Sequence, residues 1–137
     1  MQLIPIGIIH SPYKTRMDAP RQGRLADDEA VLEIHEEFKD GLMYVERLKH
    51  LIVLYWCHKA ERDVLQTVTP WGPELKGVFA TRSPARPNPI AFCIAEVIRM
   101  EGNRIYVKGV DALDGSPLLD IKPYSYQIDS VEGLKDE

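Results

Sequence analysis

The sequence predicts a mainly β fold: a small single-domain β-barrel or sandwich of about seven or more short strands with a short helical insert. Three observations carry this. Short runs of β-forming residues recur along the chain and are separated by Pro, Gly, Asn and Asp. One of them, residues 51–57 (LIVLYWC), is apolar throughout, as a strand covered on both faces would be. Only one segment, near residues 41–50, repeats its apolar residues at helical spacing. No G-x-G-x-x-G or Walker pattern is present, so a Rossmann or P-loop architecture is not expected. At 137 residues the chain fits one domain, residues 1–137.

In order, residues 3–9 read as a strand with Ile4, Ile6 and Ile8 on one side. Pro12, Pro20 and Gly23 mark residues 11–24 as a loop. Residues 30–36 alternate, with Leu32 and Ile34 on the apolar side. Asp40 is placed to cap a helix over 41–50, with Leu42, Val45 and Leu48 inward and Lys49 and His50 in its last turn. Residues 61–68 are extended into the Pro70–Pro73 turn, and 77–80 form a short strand. Strands then run over 90–100 and 104–111, joined at Gly102-Asn103, and over 118–124 after Asp114-Gly115. These last three are expected as an antiparallel meander. Period two puts Leu119 and Ile121 on one face of the final strand and Asp120, Lys122 and Tyr124 on the other.

The net charge of −4 gives no global attraction to nucleic acid or anionic membrane. Its distribution is uneven. Residues 11–24 and 76–99 are each net +3, and residues 25–40 are net −6. Cys57 and Cys93 lack the spacing of a metal site or redox pair, so a reduced, cytoplasmic setting is expected. The start MQLIPIGII lacks the features of a signal peptide, and no stretch approaches a membrane span. His10, His35, His50 and His58 are scattered, which argues against a metal site.

Residues 80–90 (ATRSPARPNPI) concentrate three prolines around two arginines. Proline fixes φ, and each residue before it is pushed toward extended conformations. The segment therefore reads as a stiff arm presenting Arg82, Arg86 and Asn88, suited to an anion or a planar polar group. Other candidates have ordinary explanations too. Pro20, Arg21 and Gln22 sit in a loop and also make a plain solvated turn. His58 and Lys59 come directly after the apolar run, where any buried strand needs a polar exit. Asp111 and Asp114 flank a turn whose Asp-Gly step has backbone reasons of its own.

On PIGIIHSPY (5–13), PRQ (20–22), the strand ending at His58, GVFATRSPARPNPI (77–90) and VDALDGSPLLDIKPY (110–124), the chain resembles the TrmO/TsaA-like tRNA methyltransferases. The resemblance covers nearly the whole chain. It implies a dimeric β-barrel that transfers methyl from S-adenosylmethionine to N6 of the threonylcarbamoylated adenosine at tRNA position 37. Carried over by position, the cofactor contacts would be Pro20, Arg21, Gln22, His58, Lys59, Arg82, Phe92, Asp111, Ala112, Leu113 and Asp114. Asp111 or Asp114 would meet a ribose hydroxyl or the methionine ammonium, and Arg21 or Arg82 the carboxylate. Arg86 and Asn88 would lie near the dimer seam or the RNA backbone, and Arg86, Asn88 and Lys122 would bind the substrate. Tyr124, Asp120 or His58 would accept the proton that leaves N6. No membrane and no metal are implied.

The chain departs from the family pattern at Ala91, where glycine is familiar, at Cys93, where a small polar residue is usual, and at Lys59, where an amide is frequent. The chain also stops soon after IKPY, so the C-terminal extension that bacterial members carry is not expected. The rival readings are a non-catalytic barrel binding adenosylmethionine or RNA, and a methyltransferase with a different acceptor.

Overall fold

A computed structural model describes residues 1–15, 19 and 28–134. The predicted loop residues Pro20, Arg21 and Gln22 lie outside that set. Six antiparallel strands close a barrel in the order β1-β2-β7-β6-β3-β8. They are β1 (Gly7–His10), β2 (Glu29–Ile34), β3 (His50–Trp56), β6 (Ile90–Glu101), β7 (Arg104–Lys108) and β8 (Ser116–Pro123). A separate ribbon pairs β4 (Gln66–Val68) with β5 (Leu75–Gly77), and a single turn, α1 (Tyr126–Asp129), comes after the barrel. Closure pairs every barrel strand on both sides, which leaves no edge for another chain to extend.

The interior is built from alternate residues of each strand. Ile9, Leu32, Ile34, Leu51, Val53, Tyr55, Cys93, Ala95, Ile105, Val107 and Leu118 form one buried cluster. The two long strands bend to close the ring. β6 carries an irregularity between Val97 and Arg99, and β3 and β8 slip register between Leu54 and Tyr55. An extra residue on one strand strengthens the local twist and re-aims the side chains beyond it. Gly7 allows β1 to approach β2, since a Cβ there would lie 2.0 Å from the Glu33 carbonyl oxygen.

Several sequence expectations are corrected. In β1 the inward residue is Ile9, with Gly7 beside it; Leu3 and Ile4 lie exposed before the strand begins. The helix over 41–50 is replaced by two 3₁₀ segments, Glu36–Leu42 and Val45–Arg47. Asp40 sits inside the first, whose N-cap position is held by His35. Tyr44, at φ 74°, breaks the run in the left-handed region. Leu42 and Val45 still turn into the core, so the spacing found the right residues and the wrong helix. The expected strand over 77–80 is instead the end of β5 and then a 3₁₀ turn, Val78–Ala80.

The expected meander is half right. β6 and β7 pair through the Gly102-Asn103 turn, but β8 leaves β7 and pairs with β3 and β1. In β8 the bulge changes the phase. Leu118 and Ser116 are buried, Leu119 falls at the slip, and Ile121 then packs against the core.

Candidate functional site at the β7–β8 loop

The connection from β7 to β8 is sewn onto the chain after β1, and this is why it does not make a hairpin. The Gly115 N–H donates to the Ile9 carbonyl at 2.8 Å, and the Asp114 N–H to the Tyr13 carbonyl at 2.7 Å. The Ser11 hydroxyl donates to the Ala112 carbonyl at 2.6 Å, and the Ser11 N–H to Asp114 Oδ1 at 3.0 Å. Gly115 takes a φ of +84°, which lets the chain turn directly into β8. The loop's two carboxylates are thereby fixed by different partners.

Asp114 meets Lys14 Nζ at 2.7 Å through its other oxygen. Lys14, and after it the Ser11 N–H, holds the Asp114 carboxyl below the usual range. Asp111 meets the two polar tips of the barrel interior. The Tyr55 hydroxyl donates to Asp111 Oδ1 at 2.7 Å, and the Cys93 thiol donates to the same oxygen at 3.2 Å. Burial, the Cys93 sulfur and the Asp111 charge push the Tyr55 phenol far above its ordinary value. Burial and then Asp111 push the Cys93 thiol up to about 12. Both groups stay protonated donors at any physiological pH.

His58 and Lys59 lie just beyond β3, in a turn closed by the Ala60 N–H on the Cys57 carbonyl. Lys59 Nζ reaches the Lys14 carbonyl at 3.4 Å, which ties this turn to the Asp114 partner. His58 is exposed, and partial desolvation, then the Lys59 charge, lowers its pKa, so the ring is neutral near pH 7.

The proline arm folds back on the same turn. The Arg86 N–H donates to the Glu61 carbonyl, and Arg62 donates to the Pro87 carbonyl at 2.8 Å and to Asn88 Oδ1 at 3.2 Å. Arg62 also stacks over Trp56. The Arg86 guanidinium braces the arm from within. Nη1 donates to the carbonyls of Thr81 and Ser83 at 3.0 and 3.1 Å, and Nη2 to that of Val78 at 2.9 Å. Arg82 extends outward over the Phe92 ring, 5.8 Å from its centroid. No hydrogen bond or ion pair joins Arg82 to Asp111 or Asp114 among the described residues.

Four segments, 11–15, 57–62, 81–90 and 109–115, are therefore linked around one end of β3. They hold His58, Lys59, Arg82, Arg86, Asn88 and Asp111 to Asp114. Tyr124 is elsewhere: its N–H meets the His50 carbonyl, at the opposite end of β3 from His58. That strand spans about 20 Å at roughly 3.3 Å per residue. Asp120 and Lys122 form their own ion pair at 3.1 Å on β8. Asp120 lines a depression of about 410 Å³ with Ile6, Phe38 and Leu42, which holds none of the other candidates. Tyr124, Asp120 and His58 are thus not gathered within one chain. Among the described residues, no group of three His, Cys, Asp or Glu is arranged to hold a metal.

Sequence reasoning missed Tyr55, Ser11, Lys14 and Arg62. Tyr55 had a signal, as the only residue of LIVLYWC with a hydroxyl. Arg62 had none, because its stacking depends on how the turn closes.

A small closed barrel with an acidic crossover loop and a rigid basic arm defines a class of non-Rossmann ligand-binding barrels. The chain belongs to the family described as tRNA-methyltransferase O N-terminal domain, whose model matches residues 8–130. It is 53% identical over 135 residues to an S-adenosyl-L-methionine-binding protein of Archaeoglobus fulgidus, covering 98% of this chain and 97% of that one. It is 36% identical to a mouse tRNA (adenine(37)-N6)-methyltransferase, covering 95% of this chain and 32% of that protein. A crystal structure of TrmO from P. aeruginosa superposes with a TM-score of 0.81 at 33% identity, over all of this chain and 60% of that one. The chain thus spans less than two thirds of the methyltransferases it matches and nearly all of the archaeal binding protein.

Proposed function

We propose that this protein binds S-adenosylmethionine at the 109–115 loop and transfers its methyl group to N6 of adenosine 37 in tRNA, acting on the threonylcarbamoylated base in the cytoplasm. The observation that carries the reading is the loop itself. Two carboxylates, each held by separate donors, sit beside the His58–Lys59 turn and the proline arm. The donor set suits the ligand. Carboxylates match an ammonium and ribose hydroxyls, and Lys59 or Arg82 can answer a carboxylate. Arg82, above the Phe92 ring, offers a flat, cationic face to an aromatic ring. The family resemblance adds Pro20, Arg21 and Gln22 to this set.

The cofactor supplies a methyl group activated by its sulfonium. Displacement by N6 at that carbon would break the carbon–sulfur bond and release the sulfur, with the bonding pair, as a thioether. The protein's task is alignment, which in favourable cases removes roughly 7–11 kcal/mol of barrier. The rigid arm serves this by lowering the ordering cost of binding. The proton on N6 goes to a base. Of the three candidates His58 is favoured by position, and its lowered pKa keeps it free to accept. A second copy of the chain would cover the exposed Phe79, Ile90 and Phe92, consistent with a homodimer.

The test is transfer of labelled methyl from adenosylmethionine to tRNA with and without threonylcarbamoyl-adenosine, and then nucleoside analysis. Label in the methylated form of that nucleoside supports the proposal. Binding without transfer favours the non-catalytic barrel, and label elsewhere favours another acceptor. Sedimentation of the same sample reads the oligomeric state.

A further inference from the structure

We propose that Tyr55 and Cys93 are positioning residues, which fix the Asp111 carboxylate from inside the barrel so that its second oxygen faces the ligand. This rests on the reading of the 109–115 loop as the adenosylmethionine site. Both donors converge on Oδ1, and among the described residues nothing donates to Oδ2. Tyr55 is 5% exposed and Cys93 is 5% exposed, whereas Asp111 is only half-buried, so the clamp is internal while part of Asp111 remains open to the outside. The two donors come from adjacent strands: Tyr55 pairs with Ala91 on β6, and Cys93 lies two residues later on the same inward face. A carboxylate held by two donors from a rigid wall has little freedom to rotate. Rotation would break both bonds and strand two buried donors. Neither donor loses its proton in the physiological range, so both remain able to donate to Asp111. Asp111 is therefore pre-oriented before any ligand arrives, which lowers the cost of ordering it on binding.

Calorimetric titration with adenosylmethionine tests this, with melting temperature recorded for each variant. Tyr55→Phe removes one hydroxyl and keeps the ring; the expected affinity loss is about tenfold, the scale of a charge-assisted hydrogen bond. Cys93→Ala is expected to lose affinity as well, and Cys93→Ser, which keeps a donor, to retain it. The decisive reading is the Asp111→Ala background. If Tyr55 acts through Asp111, adding Tyr55→Phe there costs less than about twofold. An equal loss in both backgrounds means a merely structural role and overturns the proposal. So does wild-type affinity in Tyr55→Phe, or a Cys93→Ser that binds no better than Cys93→Ala. Should Tyr55→Phe not fold, the Cys93 pair decides alone. A wild-type chain that binds no adenosylmethionine overturns the site reading and this inference together; a wild type that binds beside unaffected variants overturns only the inference.

Discussion

Arg86 offers the sharpest test of how the proline arm keeps its shape. Its guanidinium donates to three carbonyls at 2.9–3.1 Å, all within the arm or the 3₁₀ turn that precedes it. Arg86→Met keeps most of the aliphatic stem and removes all three bonds. A hydrogen bond to a charged donor contributes about 1.5–3 kcal/mol when buried. The arm is half-buried, so water replaces part of each bond, and the net loss is about 2–3 kcal/mol. For a domain of this size that lowers the melting temperature by roughly 8–12 °C. Thermal melts and limited proteolysis at residues 81–87 form the assay. Proteolysis guards against local opening, because the arm can unlatch from Glu61 without the barrel unfolding. Arg86→Lys is expected to fall between, since an ammonium cannot reproduce the planar fork. A melting temperature within about 2 °C of wild type, with unchanged cleavage, would refute the reasoning.

Gly7→Ala is expected to destabilise severely, by about 3 kcal/mol or more, because its Cβ meets backbone at 2.0 Å and the β1–β2 pair must part; urea melts check it. Asp114→Asn removes the charge that Lys14 pairs with. The wild-type advantage is at most about 1 kcal/mol, present above the ordinary aspartate pKa near 3.9 and lost as pH falls through the lowered native value. Melts of both proteins at pH 7 and below pH 3 should differ at the first and converge at the second. His58→Ala is expected to reduce methyl transfer to tRNA under saturating substrates by about 10²-fold, read as incorporated label.

The barrel was legible where local pattern decides the structure. The apolar run 51–57 became β3, and Gly102-Asn103 became the β6–β7 turn. The path of β8 was not legible. Asp-Gly before a strand is a hairpin signal, yet bonds from residues 9–13 redirect the loop, and those contacts lie about a hundred residues away in sequence. The phase of β8 was hidden for a similar reason, because a bulge shifts alternation by one residue. At the site, Asp111, Asp114, His58 and the arm were visible as residue types. What fixes them was not: Tyr55 sat within an apolar run, Cys93 was visible only as a departure from the family pattern, and Arg86 read as presented to a ligand. The arm that the prolines mark out is braced by Arg86 and Arg62 bonds that the pattern alone does not reveal.

The most direct measurement is a calorimetric titration of adenosylmethionine into the wild-type chain and into Asp111→Ala and Asp114→Asn. Saturable binding to the wild type, weakened at least tenfold by either change in a folded protein, is the expected result. Equal binding by all three would place the ligand elsewhere and contradict the account.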